Sequence, residues 1–173
     1  MTLSRRDELM KLSKERLVDF IEMASSNFWT LQNNWMINVE SKFGRDVAVE
    51  LDGMCYGRAA EVQIFRIKKF LNLGDDMPSL ARAILLSLFS FYVDIEFPEI
   101  TQTKVVRRVR VCPMQLERRR KGLPELPCKP ALVSAYTKVA AAVNPKIKIT
   151  HVLCPPDPHP EDLWCDVVFE LKK

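Results

Sequence analysis

The 173-residue sequence predicts an α+β fold: a helical N-terminal half packed on one face of a roughly four-stranded, mainly antiparallel sheet. Two observations carry that prediction. Apolar residues recur at spacings of three and four before about residue 92, and they alternate with period two beyond it. No Gly/Ser linker, repeat or low-complexity tract marks the switch. Residues 1–173 therefore read as one domain, with 1–91 helical and 92–173 supplying the sheet and two helices.

The helical half begins with Ser4 and Asp7, which suit the capped start of a helix running to about Ala24. Phe28, Leu31, Trp35, Val39 and Phe43 form the apolar face of a second helix, ended by Gly44. Asp46 suits the cap of a short helix through Val47, Val49 and Leu51. Gly53 and Gly57 then read as a break around Cys55, whose expected place is buried packing. Ala60, Ile64, Ile67 and Leu71 mark the next helix. A last one, opened by Pro78 and apolar nearly all round from Leu80 to Phe91, reads as central.

The second half opens with a strand from Phe91 to Phe97, stopped by Pro98. A second strand, Thr103 to Val111, sets Val105, Val109 and Val111 on one face against Lys104, Arg108 and Arg110 on the other. Arg107 interrupts the apolar row, which suggests an edge. Pro113 and Pro130 open two helices, and strands follow at Ile147–Cys154 and Trp164–Leu171.

Composition narrows the class. An apolar content of 47% excludes a disordered chain, and five glycines exclude a collagen-like one. No run of about 20 apolar residues is present to span a bilayer. The stretch Met1 to Glu8 lacks the apolar core of a secretory signal. Five cysteines, an odd number, then read as reduced thiols of a cytoplasmic protein.

Four of those cysteines, Cys112, Cys128, Cys154 and Cys165, fall in the second half together with His151 and His159. They sit at element boundaries, and a hairpin of the last two strands would set Cys154 and Cys165 at one sheet edge. Three readings follow. Cys112, Cys128, Cys154, His159 and Cys165 are candidate ligands for a metal, zinc being the natural choice for thiolate and imidazole donors, although no Cys-x-x-Cys knuckle is present. Alternatively Cys128 or Cys154 is a nucleophile with His159 as base, oriented by Asp157, Glu161 or Asp162. The third reading makes all four thiols small buried hydrophobes.

Charge is unevenly placed. Residues 104–121 carry eight cations against Glu117, a local charge of +7 on a chain whose net charge is +4. A solvated strand face and helix end would account for it. No nucleic-acid motif accompanies the cluster, so a nucleic-acid-binding module is the lesser alternative. An anionic small molecule held by Arg108 or Arg110 near Cys112, with Trp164 lining the pocket mouth, is the expected partner. Oligomeric state is left open. Trp29 and Trp35 read as core, and Glu40, Glu50 and Asp52 as surface carboxylates.

Cys112-Pro113, Pro127-Cys128-Lys129-Pro130, Asn144-Pro145, Cys154-Pro155-Pro156-Asp157, His159-Pro160 and Trp164-Cys165 together resemble an uncharacterised family of bacterial and archaeal cytosolic proteins. The clear resemblance covers about residues 90–171, and that family looks distantly similar to the L-2-amino-thiazoline-4-carboxylic acid hydrolases and, through its fold, to 4-vinyl-reductase-like ligand-binding domains. The resemblance implies a hydrolase opening a small cyclic amino acid, with Cys165-Asp166 similar to the pair before that group's closing strand. The leading functional expectation remains a Cys/His-rich site that binds a small molecule or a metal ion.

Overall fold

The computed structural model describes residues 4–172. Met1 to Leu3, part of the stretch read against a secretory signal, and Lys173 lie outside them. Six helices and four strands follow in the order α1 (Arg5–Met10), α2 (Lys14–Phe43), α3 (Arg45–Leu71), α4 (Met77–Leu85), β1 (Asp94–Ile100), β2 (Lys104–Val111), α5 (Pro113–Arg120), α6 (Lys129–Val143), β3 (Ile147–Leu153) and β4 (Cys165–Leu171). The sheet is antiparallel throughout, in the order β1-β2-β4-β3. The α+β expectation holds. Among the described residues no helix is long and apolar enough to cross a membrane.

The helical half is built from fewer, longer pieces than the periodicity suggested. Ser4 caps only the short α1, and Ser13 accepts from the Arg16 amide to start α2, which runs unbroken to Gly44. The expected face of α2 is corrected as well. Leu31, Trp35 and Phe43 are exposed, whereas Ser25, Trp29 and Met36 turn inward. The inward row 25, 29, 32, 36 keeps helical spacing but is partly polar, so hydrophobicity alone misplaces it.

Gly53 and Gly57 do not break α3. They lie inside it on the side facing α6. A Cβ on Gly53 would stand 3.2 Å from the Ala131 Cβ, and one on Gly57 would stand 3.2 Å from the Lys138 Nζ. The glycines are thus spacers that let two backbones approach, which offsets their cost in a helix interior of roughly 1 kcal/mol each. The central apolar helix is real but shorter than expected: α4 buries Met77, Leu80, Ala81, Ala83 and Ile84 and ends at Leu85. Beyond it, the Ser87 and Ser90 hydroxyls both donate to the Ile84 carbonyl and tie down an irregular turn.

In the sheet, Pro98 sits within β1 at a register irregularity between Glu96 and Glu99. Because β1 is an edge strand, a residue without an amide hydrogen is tolerated there. The inner face of the sheet, with Val105, Val167, Phe169 and Ile147, packs on α6 through Leu132, Tyr136, Val139 and Val143. The Tyr136 and Phe169 rings meet edge to face at 5.7 Å. The outer face carries cross-strand ion pairs, among them Arg108–Asp166 and Arg110–Glu96. One expectation for β2 is overturned: Arg107 does not mark an edge. β2 is an inner strand, and Arg107 is buried on the face that packs against the helices.

Candidate functional site

Between the helices and the inner sheet face lies a cavity of about 280 Å³. α2 contributes Phe28, Trp29 and Gln32, and α3 contributes Asp52, Cys55 and Tyr56. The sheet contributes Arg107, Val109 and Cys165, α6 contributes Ala131, Leu132 and Tyr136, and the segments flanking α5 contribute Cys112 and Cys128. The walls are aromatic, aliphatic and sulfur-bearing apart from Gln32 and two side chains of the charged types.

The first of the two is Arg107. Its side chain is 5% exposed, its guanidinium carbon lies 5.0 Å from the centre of the Tyr136 ring, and its Nε and Nη1 have no hydrogen-bond partner. The ionisable groups around it are Tyr136, Tyr56, Cys165 and Cys154. The contrast with its neighbours in sequence is sharp. Lys104, Arg108, Arg110, Arg118, Arg119, Arg120 and Lys121 each form an ion pair. Arg107 forms none among the described residues. Five of these cations pair with carboxylates from elsewhere in the chain, and Arg120 and Lys121 share Glu117 within the segment. Its one unpaired cation points inward.

The second of the two is Asp52, read from sequence as an ordinary surface carboxylate. Burial pushes its pKa up to about 6, opposed by a hydrogen bond from Gln32. Tyr56 and Tyr136 are also pushed up, chiefly by burial, so both phenols stay protonated at neutral pH.

The four C-terminal cysteines gather at one end of the sheet, against this cavity. Leu153 pairs with Asp166, which sets Cys154 opposite Cys165, and their sulfurs lie 3.2 Å apart. The Cys128 thiol is close enough to Cys154 to influence its ionisation. Cys128 reaches that position because the Lys129 amide donates to the Pro155 carbonyl at 2.9 Å and the Lys129 Nζ donates to Asp157 at 2.6 Å. Gln115, fully buried, exchanges two 2.9 Å hydrogen bonds with the backbone of Leu126 and donates to Cys128 Sγ at 3.4 Å. The thiols are not equivalent. The neighbouring Cys128 and Cys165 thiols push Cys154 up, and burial pushes Cys112 up to about 12. Cys165 is pulled down, chiefly by the Cys154 thiol that donates to it, with Arg107 assisting. Cys55 is exposed rather than buried.

His159 lies apart from the cavity lining. Its Nδ1 lies 2.9 Å from the Pro160 carbonyl and its Nε2 lies 3.2 Å from Glu125. Burial disfavours the charged ring, but these two acceptors outweigh it and raise its pKa. Trp164, expected at the pocket mouth, is buried between His159 at 4.9 Å and Arg119 at 4.4 Å, away from the cavity. Arg108 and Arg110 occupy the outer sheet face, bound to Asp166, Glu96 and Asp162. His151 is exposed on edge strand β3. Among the described residues no group of three or more Cys, His, Asp or Glu side chains is placed to hold a metal ion.

Residues 10–171 match the model of a family of unknown function, DUF6125. The chain belongs to this family. The match spans both the helical half and the sheet, including every cavity-lining residue. It agrees with the uncharacterised family expected from the Cys-Pro motifs. No curated protein and no solved structure matches the chain. The likeness to thiazoline-carboxylate hydrolases and 4-vinyl-reductase-like domains thus rests on the motif run alone.

Proposed function

We propose that this protein is a small-molecule-binding domain whose ligand occupies the cavity between α2, α3, α6 and the inner face of the sheet. The observation that carries this reading is the cavity itself, about 280 Å³ with mainly aromatic and aliphatic walls and only Asp52 and Arg107 of the charged residue types in its lining. Close-packed interiors do not leave spaces of that size by accident. An apolar cavity of about 150 Å³ accepts benzene, so this one suits a ligand of roughly a dozen non-hydrogen atoms. Binding fits the geometry better than ring-opening hydrolysis, because His159, the expected base, has both ring nitrogens engaged by Glu125 and Pro160.

The test is thermal denaturation with toluene and indole as size-matched apolar probes. At about ten times Kd a bound probe stabilises by roughly 1.4 kcal/mol, a rise of about 3–6 °C for a chain of this size. The substitution Val109→Phe, which fills the cavity from the sheet side, abolishes the rise. No rise with either probe in the wild-type protein overturns the reading.

A second reading is favoured by the convergence of thiols. Zinc bound by four thiolates has zinc–sulfur bonds of about 2.3 Å and hence sulfurs near 4 Å apart. The 3.2 Å contact of Cys154 with Cys165, with Cys128 alongside, supports a soft ion at that end of the sheet. Cys112, Cys128, Cys154 and Cys165 would be its donors only after their side chains leave the arrangement described above, and His159 would not take part. Elemental analysis of protein purified without added metal is expected to give about one equivalent of zinc or another thiophilic ion per chain. Metal-free protein in which all five thiols titrate at once removes this reading and leaves the first intact.

A further inference from the structure

We infer that the ligand of this cavity is a small aromatic or branched aliphatic monocarboxylate, and that Arg107 is the residue that binds its carboxylate. This inference rests on the cavity being a ligand site and names the chemistry of what enters it. Arg107 lines the cavity, is 5% exposed, and presents Nε and Nη1 with no hydrogen-bond partner. A guanidinium stays charged at any pH a folded protein tolerates, and leaving one buried without a counter-charge is among the costliest arrangements in a protein interior. Among the described residues the other seven cations of this segment are paired with carboxylates and Arg107 is not.

The stack on Tyr136 at 5.0 Å holds the guanidinium plane without using its N–H donors. What remains is a fixed planar fork in an apolar chamber, and its geometric complement is a carboxylate held bidentately. The rest of the chamber selects the body of the ligand. Phe28, Trp29, Tyr56 and Phe89 offer ring edges and faces, with Tyr56 and Phe89 already in a T-shaped contact at 4.5 Å. Such walls suit a flat ring or a compact branched chain. A phosphate dianion fits poorly, because Arg107 is the sole cation in the lining and the second negative charge would be buried uncompensated.

The experiment is calorimetric titration of the full chain with benzoate, its neutral isostere benzamide, and phenyl phosphate at pH 7.5. Benzoate is expected to bind at least about tenfold more tightly than benzamide, as a charge-assisted bidentate pair in a dry site requires. In Arg107→Met that margin disappears while benzamide affinity stays within about threefold of wild type, and Arg107→Lys retains part of the margin. Should Arg107→Met fail to fold, the wild-type margin and its partial retention in Arg107→Lys decide the matter. Equal binding of benzoate and benzamide overturns the anchoring role of Arg107 and leaves the cavity as a neutral-ligand site. Tighter binding of phenyl phosphate than benzoate overturns the carboxylate assignment. Absence of binding by all three, together with no thermal shift from toluene or indole, removes both this inference and the proposed function.

Discussion

Arg118→Ala is expected to cost about 3 kcal/mol of stability or more, the range for breaking one side of a buried ion pair. Arg118 stands in what reads as an exposed basic helix end, Arg-Arg-Arg-Lys, yet its side chain is 5% exposed. It grips Glu40 of α2 with both terminal nitrogens, at 2.6 and 3.0 Å, and donates through Nε to the Pro124 carbonyl at 2.8 Å. Glu40 is held below its usual range chiefly by this hydrogen bonding. Truncating the arginine strands that carboxylate and frees the backbone before Leu126 and Cys128. The loss should therefore appear twice. Urea denaturation gives the drop in global stability, and amide exchange at Leu126 and Cys128 accelerates more than in α4. A change below 1 kcal/mol would show that the pair is solvent-screened.

Asp52→Asn is expected to stabilise the protein at pH 8 by up to about 3 kcal/mol and to have no effect near pH 3. The sign follows from the raised pKa. Asp52 titrates near 6 in the folded protein against an ordinary 3.8, because burial disfavours its charge. The native state therefore holds the proton more tightly than the unfolded chain. Below pH 3.8 both states are protonated and the aspartate costs nothing. As pH rises through 6 the folded protein must ionise a half-buried carboxyl, and stability falls. Asparagine keeps the hydrogen-bonding relation with Gln32 and removes the charge. Chemical denaturation of both proteins from pH 3 to 8 checks this. Parallel curves across the range would mean that Asp52 is fully solvated.

Retention of a destabilising acid and an unpaired arginine in the lining of one cavity is what a binding site would show and an optimised core would not. Arg107 and Asp52 are both drawn from positions that sequence patterns alone assign elsewhere, one to a sheet edge and one to the solvent.

Much of the architecture was legible because it depends on local periodicity. The alternation through Val105 and Val109 marked β2 and its inward face, although Val111 in the same row is exposed at the strand end, and Pro113 and Pro130 marked two helix starts. The same alternation places Arg107 inward, between Val105 and Val109. A cation in that row was itself the signal for a buried charged group, but an edge explained it equally well until the order β1-β2-β4-β3 put β2 inside the sheet. Gly53 and Gly57 looked like breakers because their role depends on α6, more than 70 residues away. Their spacing of four, continued by Ala60, was the available hint of a close-packed small-residue face.

The thiol cluster was partly readable. Cys154 and Cys165 follow from a hairpin, while Cys128 joins them only through the nonlocal bonds of Lys129 to Pro155 and Asp157. His159 was misread as a partner of the thiols because proximity in sequence to Cys154 and Cys165 says nothing of Glu125, which engages its Nε2.

The most direct test of the central claim is where a bound probe sits. Intermolecular nuclear Overhauser effects from saturating toluene to the labelled protein should reach the methyls of Val109, Leu132 and Met114 and the ring of Trp29, all of which line the cavity. Effects confined to the exposed rings of Phe65 and Phe70 on the outer side of α3 would place the probe on the surface and contradict an interior binding site.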